Sequence, residues 1–183
     1  MTSIILTGGK STRFGKNKSE AIVCGKTLLE ILVSNLPDND IVIVGPETNV
    51  AARYIREEPL FSGPVAAIAA ALKIIESDSV AVFATDMPFA PLVLPELLRN
   101  FNSDAAIPLD ALGISQPLSA IYRTESLKRA ISSLPTATNQ SMKKLLEQMT
   151  VELISTCNFD YLMDIDSPED IFAAISIQRR FTP

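Results

Sequence analysis

The sequence predicts an α/β protein, a three-layer sandwich in which a mostly parallel sheet carries helices on both faces and has an antiparallel edge. Three observations lead there. Apolar runs of strand length alternate from end to end with longer segments of helical apolar spacing, the pattern of crossover units that build a parallel sheet. Ser3 to Leu6, Asp40 to Val44 and Ser79 to Ala84 read as buried strands, as expected where a sheet is covered on both faces. With 183 residues, 47% of them hydrophobic and 20% charged, the chain is long and apolar enough to bury a continuous core, so a single domain over 1–183 is expected.

Between the early strands, Thr27 to Leu36 and Pro64 to Glu76 carry helical spacing. Pro64 suits a first helical position, because the amide it lacks would be unpaired there anyway. In the less regular second half, Asp104 to Pro108 and Gln116 to Tyr122 read as strands, Thr124 to Ser133 and Thr138 to Met149 as helices, and the antiparallel edge belongs here. Val151 to Ser155 and Tyr161 to Ile165 are short strand candidates. Ser167 caps a last helix with Pro168 at its first position and Asp170 three residues after the cap, and Gln178 to Pro183 reads as a frayed tail.

Composition excludes several chemistries. A formal net charge of −5 gives no general attraction to nucleic acid, whose binders neutralise phosphates with surplus Lys and Arg. Basic residues nevertheless concentrate at Lys10, Arg13, Lys16, Lys18 and Lys26, which suits a local anion site. Cys24 and Cys157 belong to no disulfide or zinc pattern, and the absence of a leader-like or membrane-length apolar run points to the cytoplasm and away from a membrane. The sequence contains no histidine, which removes imidazole general-base and Ser-His-Asp catalysis. Carboxylates, lysine, arginine or a metal must carry any reaction.

The most informative segment follows the first strand directly: Thr7-Gly8-Gly9-Lys10-Ser11-Thr12-Arg13-Phe14-Gly15-Lys16-Asn17-Lys18. Paired glycines after a buried strand let the backbone turn tightly and approach a ligand with its amides free to donate. Gly9-Lys10-Ser11 imitates the end of a P-loop, but the glycine needed five residues before Gly9 falls on Ile4, inside the strand. The spacing of Gly8, Gly9 and Gly15 also fails the dinucleotide fingerprint. Asp86 follows the third apolar strand at its carboxyl end, where open α/β sheets place ligands, and is suited to hold a hard cation such as Mg²⁺.

The pattern G-G-x-S-x-R-x-G-x-N-K in this loop resembles the signature of the nucleotidyltransferases that include molybdenum cofactor guanylyltransferase. Gly63-Pro64-Val65-Ala66-Ala67-Ile68 resembles the family's G-P-L-A-G-I segment, and Thr85-Asp86-Met87-Pro88-Phe89 its D-x-P-F metal motif. Gln116-Pro117-Leu118-Ser119-Ala120 is similar to its acceptor-side strand, and Asp164-Ile165-Asp166-Ser167-Pro168-Glu169-Asp170 to its closing motif. The matches run in the family's order from residue 3 to about residue 172. Departures are Thr7 for the usual Ala, Asn17 for Asp, Glu58 where Asp is common, and Asp164 and Asp166 where some guanylyltransferases have Asn.

The resemblance implies a nucleotide-diphospho-sugar transferase-like fold and transfer of GMP from GTP to molybdopterin with release of pyrophosphate. It implies Leu6, Thr7, Gly8, Gly9, Lys18, Glu58, Gly63 and Asp86 at the nucleotide, Asp86 and Asp166 on Mg²⁺, and Arg13, Lys18 and Asp86 as the catalytic set. GTP is favoured as donor because guanylyl-transferring members carry two glycines where cytidylyl-transferring relatives have Ala-Gly. The attacking phosphate is already ionised at neutral pH, so lack of histidine is no obstacle. A molybdopterin-delivering protein or a molybdoenzyme is an implied protein partner. The alternatives on the same fold are a cytidylyl- or other nucleotidyltransferase acting on molybdopterin or a sugar or polyol phosphate, and a nucleotide-binding relative without turnover.

Overall fold

The computed structural model describes residues 1–8, 22–37 and 40–180. In chain order the elements are β1 (Thr2–Leu6), β2 (Ile22–Val23), β3 (Lys26–Thr27), α1 (Leu28–Ser34), β4 (Asp40–Val44), β5 (Arg53–Ile55), α2 (Pro64–Ala71) and β6 (Ser79–Ala84). There follow α3 (Leu94–Arg99), β7 (Ala105–Leu109), β8 (Ser119–Arg123), α4 (Thr124–Ser133), α5 (Met142–Leu146), β9 (Val151–Ser155) and α6 (Pro168–Gln178). Among the described residues seven strands form one sheet in the order β5-β4-β1-β6-β8-β7-β9, and β2 pairs with β3 as a separate hairpin.

Strand direction is uniform except at one place. β1 pairs parallel with β4 and β6, β4 with β5, and β7 with β9, whereas β8 runs antiparallel to both β6 and β7. The antiparallel pairing expected in the second half is thus made by a single strand set inside the sheet. Because β8 runs backwards, its first residues lie beside the carboxyl end of β6, and the Ala84 amide donates to the Leu118 carbonyl at 2.9 Å.

Alternation along each strand sorts side chains to two faces. Ile4, Val42, Val82, Ala120 and Tyr122 pack with Val65, Ile68 and Ala71 of α2, Leu127 of α4 and Leu145 of α5. Ile5, Ile43, Phe83 and Ile121 pack on the other face with Leu29 and Leu32 of α1 and Leu94 and Leu97 of α3. A third cluster holds α6 against the hairpin and α1 through Val23, Leu28, Ile31, Phe89, Ile165, Ala174 and Ile177. Burial pushes the Tyr122 phenol above its usual range, and its hydroxyl donates to the Pro117 carbonyl at 2.6 Å.

Local chemistry explains the element ends. Thr27 and Glu30 form a capping box that starts α1, and Ser141 accepts from the Lys144 amide to start α5. That cap makes α5 shorter than the helix expected over Thr138 to Met149, since Asn139 just before it has φ 56. Tyr161 to Ile165, expected as a strand, is instead a 3-10 turn over Phe159–Leu162 followed by chain that belongs to no strand or helix. The outer edge of β7 is already taken by β9, and the Ile165 amide turns instead to the Asp86 carbonyl, at 2.9 Å. Unforeseen elements are the β2–β3 hairpin, α3 with the 3-10 turn before it, and β5, which Arg53 ties to Asp40 of β4. Among the described residues no helix is long and apolar enough to cross a membrane.

Asp104 joins three elements near the amino-terminal end of β7. Its carboxylate accepts from Ser126 Oγ at 2.5 Å and from the Thr150 amide at 3.0 Å. The Ser126 and Thr150 hydrogen bonds, helped by Arg129 and Arg123, hold its carboxyl below the usual range. D104N should therefore lower stability at neutral pH by about 1 kcal/mol, less where solvent screens the site. A depressed folded pKa adds stability above the unfolded value of about 4 and loses it as pH falls through the folded value. Urea titrations of both proteins should show their difference closing below about pH 4, and a gap unchanged down to strong acid would contradict this assignment.

Candidate active site

Three parallel strands deliver their chain ends to one edge of the sheet. Leu6 lies in register with Val44 on one side and Ala84 on the other. Past the register, the Thr7 amide and hydroxyl both reach the Val44 carbonyl at 3.2 Å, and the Thr85 amide and hydroxyl reach the Leu6 carbonyl at 3.2 and 2.8 Å. The Gly45 amide donates to the Ile55 carbonyl at 2.9 Å. A Cβ on Gly45 would fall 1.8 Å from Thr7 Oγ1, so glycine there is the counterpart of a threonine at residue 7. Gly8 leaves this edge exposed, with no atom of the described residues within 4 Å of the place its Cβ would occupy.

Asp86, partly buried, sits one residue beyond Thr85 at the same edge. Met87 and Phe89, both buried, anchor the turn that follows, and the Met87 amide bonds back to the Ala84 carbonyl at 3.2 Å. From far along the chain, Ile165 buries its side chain in the α6 cluster while its amide donates to the Asp86 carbonyl. Asp164 and Asp166 flank that anchor, and a carboxylate oxygen of each lies near one of Asp86. Asp170 fixes the next step: one of its oxygens accepts from the Asp166 amide at 3.0 Å and from the Ser167 amide and hydroxyl at 2.7 and 2.8 Å.

The result is a cluster in which one carboxylate oxygen from each of Asp86, Asp164 and Asp166 lies within 4.8 Å of the others. Three like charges this close repel, and a cation among them removes the repulsion. The donor set is all carboxylate oxygen, the chemistry that a hard divalent ion such as Mg²⁺ prefers. The structure brings together the pair Asp86 and Asp166 expected on the metal and adds Asp164. The spacing D-I-D, extended and followed by a helix cap, is the signal in the sequence that places both aspartates on one side.

The other side of the edge is built by the turn after β5 and the start of α2. Gly63 caps α2 with φ 88, a left-handed value that suits glycine, and Pro64 follows at the first helical position. Glu58 is exposed, whereas Glu57 accepts the Phe61 amide at 2.9 Å through Oε1. α2 packs on β1 and β4, so its amino terminus overhangs the edge from which Gly8 departs. Gly9, Arg13 and Lys18, expected at the phosphates, lie outside the described residues.

A mostly parallel open sheet with a glycine exit, a helix amino terminus and a carboxylate cluster at its carboxyl edge is an arrangement that could take a nucleotide and a metal ion, as the class of nucleotidyltransferases requires. Residues 3–153 match the MobA-like NTP transferase domain, and the chain belongs to that family. A Bacillus cereus (strain B4264) protein named probable molybdenum cofactor guanylyltransferase is 32% identical over 188 residues, covering 91% of this chain and 92% of the relative. The solved molybdopterin-guanine dinucleotide biosynthesis protein A of Archaeoglobus fulgidus is similar at 26% identity and a TM-score of 0.74, covering 98% of this chain and all of that one. A 2-C-methyl-D-erythritol 4-phosphate cytidylyltransferase of Thermus thermophilus shares the fold, with 19% identity, a TM-score of 0.69 and coverage of 97% and 98%. The chain is therefore a nucleotidyltransferase.

A ligand that binds only the folded state raises the melting temperature. Millimolar Mg²⁺ or Mn²⁺ should raise that of the wild-type protein by a few degrees, less in D164N and D166N, and not in D86N. Equal shifts in all four proteins would separate cation binding from this cluster.

Proposed function

We propose that the chain transfers GMP from GTP to the terminal phosphate of molybdopterin, forming molybdopterin guanine dinucleotide and pyrophosphate, as a single cytoplasmic domain over 1–183. The observation that carries the reading is the convergence of Asp86, Asp164 and Asp166 beside the exit of Gly8. The donor and the acceptor are suggested by the names of the Bacillus cereus relative and the Archaeoglobus fulgidus structure, and by Gly8-Gly9 after the first strand.

Leu6, Thr7, Gly8 and Gly9 admit the nucleoside along the sheet edge, the glycines letting the backbone approach base and phosphate closely. Gly63 lines the base pocket, and the exposed Glu58 carboxylate accepts hydrogen bonds from base or ribose. Arg13 and Lys18 draw in the triphosphate and hold its negative charge as an acceptor phosphate oxygen attacks the α-phosphorus in line. The bond from the α-phosphorus to the bridging oxygen breaks, and pyrophosphate leaves with both electrons of that bond. The attacking oxygen carries no proton to remove at neutral pH, so no base is assigned. Asp86 and Asp166 would hold Mg²⁺, which when bound offsets charge on the phosphates and polarises the α-phosphoryl group. Asp164 would complete the carboxylate set around that ion.

Purified protein with Mg²⁺ and GTP should release pyrophosphate when the pterin acceptor is present and not without it. D86N should lower turnover about a hundredfold or more, with its circular dichroism spectrum unchanged. Faster release from CTP than from GTP would remove the guanylyl assignment, and full activity in D86N would remove the metal role of that carboxylate.

A further inference from the structure

Thr85 carries a hydroxyl that sheet formation does not call for. The residue is 6% exposed, and its Oγ1 donates at 2.8 Å to the Leu6 carbonyl, an oxygen that already accepts the Thr85 amide at 3.2 Å. A buried carbonyl needs one donor, and the amide supplies it as the next step of the parallel ladder beyond the Leu6 and Ala84 pair. Valine has nearly the same shape, would leave the Leu6 carbonyl with its amide partner, and would bury no polar group of its own. The hydroxyl is therefore a second tie between β6 and β1 where the fold is served by one.

The same doubling recurs one strand over. Thr7 donates to the Val44 carbonyl through both its amide and its Oγ1, each at 3.2 Å, and residue 45 has to lack a Cβ to leave room for that hydroxyl. The third exit of this edge, at Gly45 itself, has the amide bond to the Ile55 carbonyl and no side chain to double it. Of these three exits, the two with double ties are the two that lead into the candidate site, since Thr7 directly precedes Gly8 and Thr85 directly precedes Asp86. Beyond Thr85 the chain is held again, by the Ile165 amide on the Asp86 carbonyl and by the Met87 amide on the Ala84 carbonyl. Those bonds fix Asp86 to its own turn and to the closing segment. Thr85 fixes it to β1, the strand from which the glycine turn departs.

We propose that Thr85 is a positioning residue: acting through the Leu6 carbonyl, its hydroxyl fixes Asp86 relative to the end of β1, so that a divalent ion on Asp86 and a nucleotide at the glycine turn meet at a set distance. The inference rests on the nucleotidyltransferase reading given above and adds to it the part that couples ion to nucleotide. A constellation of this kind tolerates displacements of only about 0.5 Å, which is the scale on which a second hydrogen bond at a strand end acts.

T85V removes the hydroxyl with little change of shape, and T85S keeps it. GTP affinity measured by calorimetry with Mn²⁺ and again with a chelator gives a ratio that reports the coupling between ion and nucleotide. In T85V that ratio should fall about fivefold, while GTP affinity in chelator and the ligand-free melting temperature stay close to wild type, and T85S should restore the ratio. A purely structural hydroxyl would instead lower the melting temperature or weaken GTP equally in both conditions. An unchanged ratio in T85V, no recovery in T85S, or loss of the folded state in T85V would each overturn the positioning role while leaving the nucleotidyltransferase reading intact. A wild-type protein that binds no nucleoside triphosphate would overturn both.

Discussion

A backbone hydrogen bond of 2.9 Å, from the Ile165 amide to the Asp86 carbonyl, joins two segments nearly eighty positions apart in the chain. The carboxylate cluster depends on it. Without that stitch, nothing in the secondary structure would bring the closing segment to the end of β6, because Asp164 and Asp166 belong to no strand or helix. Burial of Ile165 among Val23, Leu28, Phe89 and Ala174 supplies the apolar anchoring, and the Asp170 cap fixes the direction in which the chain leaves. A charged site is thus assembled from loops, but each loop is pinned by a buried side chain or a helix cap.

The opposite wall is built on a different principle. β1, β4 and β6 end in register, and the chains leaving them are tied by short-range bonds among Thr7, Val44, Leu6 and Thr85. Apolar burial on both faces makes this part of the sheet rigid, so the exits of Gly8 and Asp86 have a fixed separation. The start of α2, which packs on β1 and β4, borders the same edge.

Much of this was legible in the sequence because the central strands are continuous apolar runs. Ser3 to Leu6, Asp40 to Val44 and Ser79 to Ala84 became β1, β4 and β6 within a residue or so, and Pro64 at a first helical position and Ser167 with Asp170 as a cap marked helix starts. Tyr161 to Ile165 misled because alternating apolar residues look the same whether they pair in a sheet or anchor a loop singly. β5 and the β2–β3 hairpin have too few residues for periodicity to register, and α3 was concealed by the prolines Pro88, Pro91 and Pro95 around its start. Asp86 was recognisable from its place after a buried strand. The D-I-D spacing pairs Asp164 with Asp166, but their meeting with Asp86 needed the three-dimensional path that brings Ile165 to the end of β6.

The proposed reaction depends on Asp86 holding a divalent ion against the triphosphate of a bound nucleotide. Mn²⁺-enhanced ³¹P relaxation of bound GTP measures this directly, because the effect falls steeply with distance from the ion. Strong relaxation of the GTP phosphorus nuclei, α-phosphorus included, in the wild-type protein and its collapse in D86N under conditions where GTP remains bound is the predicted result. Relaxation that spares the α-phosphorus, or that persists unchanged in D86N, would contradict it.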